Sequence, residues 1–497
     1  MKEQEARYLN RLADTLGLVD PPAARFQTVH ASLPPARDRK AWQRIWNRAY
    51  TQRVPMQVIA NLERQRVPLR SIVVNQKWWG TDTLAAIRDT LMSKLRGIVA
   101  RFAEMTPILF AEGDVLCFKG IVLRELYPPD SPRITNDVDV WAQDIEVVLA
   151  LERRLDNYRT DRIEFTSRHE LAIGQFELRS QNSDDQVVLD IHIGGYPTYP
   201  QNHPLVVYLD LFRRSISLAI DKRIIQAPSW EDTILLGVAH ILQNRRLTLR
   251  DINDFYLLLE TKGDRIDWRY VLECADENAF VSVLCLLSDE VERRYEVKLQ
   301  IPEESRCRLN ASRNLLTRRL LEFPPRHIRG SGIFMNSYLF VCQRKKLGPL
   351  LAAGAVLRNL SLLSANRLAP RLKESVHTLW SLWLGSQDRC LTLRPVTVTQ
   401  LPRCQKLINE QKLNNTDYGN GAGVYRDAWC RSVVFVMSSG VHVSPVIARR
   451  LNAETGRSRR TFTAGKSEKA TDSAGSEDEA ANISKDVLNN IAGKARR

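Results

Sequence analysis

Three things are scarce in this chain of 497 residues: paired cysteines, long apolar runs and acid to balance its base. The eight cysteines (Cys117, Cys274, Cys285, Cys307, Cys342, Cys390, Cys404 and Cys430) are scattered, with no Cys-x-x-Cys pair. That spacing argues against a zinc module and against a disulfide framework. The thiols read as small core residues in a reducing compartment. The longest apolar stretches, such as PLLAAGAVL, fall well short of the ~20 residues that span a bilayer. The first residues, MKEQEARYLNRLADTLG, are charged from the first turn and lack an apolar signal core. The expectation is a soluble, cytoplasmic protein without a transmembrane segment. Acidic residues number 57 against 72 Lys and Arg, a net charge of +15. This balance favours anionic partners such as nucleotides, nucleic acid or anionic lipid without selecting among them, and a solvated basic surface accounts for it equally well.

What is present reads as about three domains' worth of chain. Residues 1–110 look mainly helical, with Pro-rich breaks at DPPAARF and SLPPARDR. Their clearest helix is DTLAAIRDTLMSKLRGIVARFAEM, whose apolar residues recur at three- and four-residue steps. Over 111–205 the texture becomes that of a compact α/β unit. DVLCFKG reads as a strand ending at Gly120 and IVLRELY as a short helix stopped by Pro128-Pro129. NDVDVWA is a strand, DIEVVLALERRLDNY a helix capped by Asp144, and QVVLDIHIG another strand, with strands joined by a turn between them. Residues 206–385 turn helical again, opening with the Ser-x-x-Asp start of SWEDTILLGVAHILQ. Residues 386–450 carry β-branched residues at strand-like density and suggest a small appendage. From 451 the sequence is polar, small and of mixed charge, as a disordered tail would be. No internal repeat is visible.

Chemistry concentrates in ITNDVDVW. Asp is depleted in strands, and an ionised carboxylate facing inward is costly unless something positive meets it. Strand residues two apart share a face, so Asp137 and Asp139 would converge on one spot, where a hard divalent cation fits. Alone the triplet is weak, since roughly one or two arise by chance at this length. Two neighbours strengthen it. FKG ends a strand and opens a helix, where backbone N–H groups can hold phosphate beside Lys119. VVLDIHIG places a third carboxylate, Asp190, in an apolar strand. Two acids from one strand and one from another suit two-metal phosphoryl or nucleotidyl transfer. The bland readings are an exposed Asp137-Asp139 turn, an Asp190 paired with Arg133 or Arg179, a solvated Lys119, and structural histidines at His169 and His192. Asp251 and Asp254 read as helix-cap and ion-pair residues.

FKGIVLRELYPPDSPRITNDVDVWA, followed by RHELAI and VVLDIHIG, resembles the bacterial uncharacterised nucleotidyltransferase family of the DNA polymerase β superfamily. The matching elements are Lys119-Gly120, Tyr127-Pro128, Arg133, Asp137 and Asp139, His169, and Asp190 with His192. AHILQNRRLTLRDINDFYLLLE and IDWRYVLECA resemble its helical half, so the likeness covers roughly residues 95–285. It implies an α+β fold, a small mixed-sheet core flanked by helical regions, and transfer of a nucleoside monophosphate from an NTP to a hydroxyl. By the same resemblance Asp137, Asp139 and Asp190 would be catalytic and bind Mg²⁺ or Mn²⁺, with Asp190 near the acceptor hydroxyl. Lys119, Gly120 and Arg133 would contact the nucleotide, ATP among the candidates. The superfamily at large more often has Gly-Gly or Gly-Ser where this chain has Lys119-Gly120. The acceptor stays open, nucleic acid such as tRNA included, as does the oligomeric state. A glycosyltransferase using Asp-x-Asp with a nucleotide sugar and a non-catalytic nucleotide-binding module are the competing readings. RFQTVH, Arg25 to His30, also matches the loose Arg-x4-His pattern of small helical ribonucleases, although its Pro-rich flanks disfavour a long supporting helix.

Overall fold

The computed structural model describes most of residues 3–311, the longest breaks being 167–173, 181–186 and 195–210. Beyond 311 it describes the backbone of strands between 390 and 443. His169, the part of the expected helical region from 312 to 385 and the tail from 451 lie outside the described residues.

The chain begins with helices α1 (Glu3–Leu16), α2 (Ala23–His30), α3 (Arg39–Thr51) and α4 (Pro55–Arg64). A hairpin of β1 (Val73–Gln76) and β2 (Gly80–Thr83) leads into the long α5 (Leu84–Leu109). Next come β3 (Val115–Cys117), α6 (Gly120–Arg124), β4 (Asp137–Ala142) and α7 (Ile145–Arg154). Strands β5 (Tyr158–Thr166), β6 (Gly174–Ser180) and β7 (Val188–Ile193) follow. A second hairpin, β8 (Ile216–Ile220) and β9 (Arg223–Ala227), precedes α8 (Trp230–Asn244), α9 (Leu249–Lys262) and α10 (Trp268–Glu277). Then come α11 (Val281–Tyr295), α12 (Glu303–Ala311) and strands β10 (Cys390–Pro395), β11 (Asn414–Asp417), β12 (Gly423–Arg426), β13 (Val433–Met437) and β14 (Gly440–Val443). The protein is thus the mixed α and β type that the sequence predicts.

Local chemistry sets the helix starts. The Thr83 hydroxyl accepts from the Ala86 amide and opens α5, and Asp144 accepts from Val147 N–H and opens α7, as expected from its sequence. Thr248 and Asp251 form a reciprocal capping box on α9. Ser229 accepts from the Asp232 amide and donates to its carboxylate before α8.

Contacts divide the chain into two compact units: residues 1–139 with 208–384, and residues 140–207 with 385–497. In the first unit, an apolar cluster around Trp42, Ile45, Trp46, Leu12, Leu16 and Ile59 joins α1, α3 and α4. Buried amides knit the connections. Asn61 donates to the carbonyls of Leu16 and Leu18, and Asn253 of α9 donates to that of Gly17. Here β3 lies beside the first half of β4, the Phe118 amide donating to the Asp139 carbonyl at 3.1 Å. Arg25 of the RFQTVH stretch donates to the carbonyls of Arg293 and Arg294 and pairs with Glu296, so its guanidinium serves a structural contact.

In the second unit, β11, β12, β13, β14, β10, β5, β6 and β7 follow one another across a sheet, with the second half of β4 beside β7. Every pairing from β11 to β7 is antiparallel. Within 386–450 the described residues form strands β10 to β14, and β10 aligns Cys390 with Thr166 of β5.

Candidate functional site

Strand β4 reads Asp-Val-Asp-Val-Trp-Ala, and its period of two turns Val138 and Val140 fully inward. Asp137 is half-buried, whereas Asp139 is only 5% exposed. The Thr135 hydroxyl lies 2.9 Å from the Asp137 carbonyl and 3.1 Å from its Oδ1, and donates to this pair of acceptors. Lys119 Nζ donates to Asp139 Oδ1 at 2.9 Å, and both side chains are largely shielded from water. A charge-assisted bond of this kind is what holds a carboxylate in so dry a place.

Lys119 reaches Asp139 from an unusual backbone. It is the N-cap of the five-residue α6, at φ 53° and ψ −115°. A non-glycine residue there carries about 1–3 kcal/mol of strain, which persists only where the surroundings over-determine it. Gly120, the next residue, is required for space. A Cβ on it would sit 2.4 Å from Thr135 Oγ1 and 3.5 Å from Arg133 Nη1. Gly120 thus lets the helix start press against the same threonine that orients Asp137.

Arg133 is buried, and it is engaged. Its Nε and Nη2 donate to Asp254 Oδ1 and Oδ2 at 2.8 and 2.9 Å, a bidentate pair. Tyr127 Oη donates to the same Oδ1 at 2.7 Å. Burial works against the guanidinium's charge, but Asp254 outweighs it and holds the Arg133 pKa above its ordinary value. Burial, followed by the Asp254 charge, pushes the Tyr127 hydroxyl well up, so it remains a donor. Asp254 is the ion-pair residue its sequence suggested, and Asp251 is the cap.

In the second unit, Asp190 and His192 share one face of β7. Gln175 Nε2 on β6 lies 2.8 Å from both carboxylate oxygens of Asp190 and donates to them. His192 Nε2 is 3.3 Å from Asp190 Oδ2, and its ring is fully buried, stacked on Trp141 at 5.9 Å between centroids. Neither Arg133 nor Arg179 is the partner of Asp190 in these contacts; Arg179 pairs with Asp161 and Glu177. Thr135, Gln175 and Trp141 are the contributors that sequence reasoning missed. Only Thr135 left a trace, lying two residues before the acidic pair.

A family model described as an uncharacterised nucleotidyltransferase matches residues 38–289, just over half the chain. That span contains Lys119, Gly120, Arg133, Asp137, Asp139, Asp190 and His192. Among solved structures, an antigenic nucleotidyltransferase-like protein from Paracoccidioides brasiliensis is 14% identical, covering 42% of this chain and 96% of its own, with a TM-score of 0.25. JHP933 from Helicobacter pylori is 13% identical, with coverages of 46% and 92% and a TM-score of 0.22. The lincosamide antibiotic adenylyltransferase LnuA, solved with lincomycin bound, is 17% identical, with coverages of 33% and 94% and a TM-score of 0.20. Scores this low carry no weight for the chemistry of this chain. No curated protein matches it.

Proposed function

Because the chain belongs to the uncharacterised nucleotidyltransferase family, we propose that it transfers a nucleoside monophosphate from an NTP to a hydroxyl acceptor. The observation that carries this reading is the burial of two acids, Asp139 and Asp190, at 5% and 9% exposure within the matched span. Desolvated carboxylates cost several kcal/mol each unless a cation answers them. The donor types suit a hard divalent ion such as Mg²⁺ or Mn²⁺: Asp137 and Asp139 stand two apart on β4, and in the second unit Asp190 and His192 stand two apart on β7. Such an ion, when bound, would neutralise the triphosphate and stabilise departing pyrophosphate.

The chain's own residues supply the rest. Asp190, oriented by the Gln175 amide, accepts the proton of the attacking hydroxyl. The acceptor oxygen bonds to the α-phosphorus as the bond from that phosphorus to the pyrophosphate oxygen breaks. Lys119 exchanges its carboxylate partner for a phosphate oxygen when the substrate arrives. Thr135 keeps Asp137 facing its neighbour on β4.

One observation favours a non-catalytic nucleotide-binding module instead. The Lys119–Asp139 pair already balances one buried acid without any ion. Thermal melting of the full chain separates the readings. Mg²⁺ and an NTP together should raise the melting temperature by more than the sum of their separate effects. Ligand at about 100 times its dissociation constant stabilises by about 2.7 kcal/mol. Asp139→Asn should abolish the synergy. If Mg²⁺ adds nothing to the shift that an NTP gives alone, in the wild type as in Asp139→Asn, the binding module is supported and the transferase refuted.

A further inference from the structure

We infer that Arg250 and Arg53 build an anion site in the first unit that takes the terminal phosphates of the nucleotide. The inference rests on the transferase reading for the identity of the ligand, but the site itself is argued from other residues.

Arg250 is the second residue of α9, and its backbone is tied to the turn that follows α3. The Arg250 amide donates to the Gln52 carbonyl at 3.3 Å, and the Leu249 amide donates to Gln52 Oε1 at 3.0 Å. This brings Arg53 alongside, held at φ 60° in the left-handed region. Arg250 Nε is buried and has no hydrogen-bond partner among the described residues. A buried donor on a cation is costly to leave unmet. The carboxylates nearest in sequence are committed elsewhere. Asp251 accepts from the Thr248 amide and hydroxyl, and Asp254 from Arg133 and Tyr127.

Positive charge dominates what remains. Burial first, then the charges of Arg133 and Arg53, pull the Arg250 guanidinium down to about 10, with Asp251 and Asp254 opposing. Burial, followed by Lys119, Arg250, Arg53 and Arg133, holds the His240 imidazole well below its usual range, so the ring is neutral. Asn244 Nδ2 lies 2.8 Å from the ring's Nε2. Two guanidiniums suit phosphate oxygens, which Arg can grip with two parallel bonds. Lys119 supplies the link. It bonds to Asp139, and its charge, like those of Arg250 and Arg53, acts on the His240 imidazole. A chain of phosphates, carrying several charges along its length, meets both features at once.

The test is titration of the full chain with inorganic tripolyphosphate, without divalent ion. The wild type should bind it, and Arg250→Gln should weaken binding by about tenfold or more. Arg53 is exposed, so Arg53→Gln preserves the fold and should weaken binding several-fold. It decides the matter if Arg250→Gln does not fold. No binding by the wild type, or wild-type affinity in Arg53→Gln together with any folded Arg250→Gln, overturns the anion site. Asp139→Asn should keep tripolyphosphate binding. If tripolyphosphate binds and both Arg variants lose it, but no NTP is turned over, the anion site stands and only the transferase reading falls.

Discussion

Arg133 lies four residues before Asp137, a position that reads as phosphate-facing, yet its Nε and Nη2 are given to Asp254. Removing one partner of a buried pair costs about 3–5 kcal/mol, because the other charge stays behind. Asp254→Asn keeps the shape and strips the charge, so urea unfolding should show a loss of about that size. Replacing both partners, as in Arg133→Met with Asp254→Leu, should cost less than the single change. An unchanged unfolding midpoint in Asp254→Asn would contradict this reading. The contrast also explains what a sequence can disclose at this scale. Asp137, Asp139 and Asp190 stand out because an acid within an apolar strand conflicts with strand propensity. Asp254 is recognisable as an ion-pair residue, but its partner is fixed by packing between distant segments. Gln175 gives no signal, since a neutral amide at the start of a strand conflicts with nothing.

At the scale of elements, the junction of β3, α6 and β4 concentrates the constraints. Lys119 holds a strained backbone, Gly120 admits no side chain, and Thr135 links that close approach to Asp137. Gly120→Ala must displace Thr135, since its Cβ would come within 2.4 Å of Oγ1. Overpacking of this kind costs about 1–3 kcal/mol. Differential scanning calorimetry should record a lower melting temperature, and turnover should fall as Asp137 loses its orientation. Wild-type stability in this variant would show that the approach is not tight. The strand–helix–strand order here was readable from hydrophobic runs and Pro128-Pro129. The two hairpins were not. β1 and β2 are four residues each within a helical stretch, and the β8–β9 turn uses Asp221 and Lys222 at positive φ where Asn-Gly would have announced it.

Across the whole molecule, the family-matched span holds every proposed site residue, while strands from 390 onward extend the sheet of the second unit beyond that span. Pairing of β10 with β5 joins segments far apart in the chain, and no local pattern encodes such a partner. The net charge of +15 is of the sign that draws nucleotides and nucleic acid toward a surface. Among the described residues, no helix is long and apolar enough to cross a membrane. Transfer of a nucleoside monophosphate breaks the bond between the α- and β-phosphates, and isotopic labelling shows which bond breaks. The full chain is incubated with Mg²⁺, cell extract and an NTP labelled at either the α- or the γ-phosphate. The α-label should be transferred covalently to an acceptor and the γ-label released as pyrophosphate, with neither in Asp139→Asn. Transfer of the γ-label, or α-label transfer undiminished in Asp139→Asn, would contradict the transferase reading.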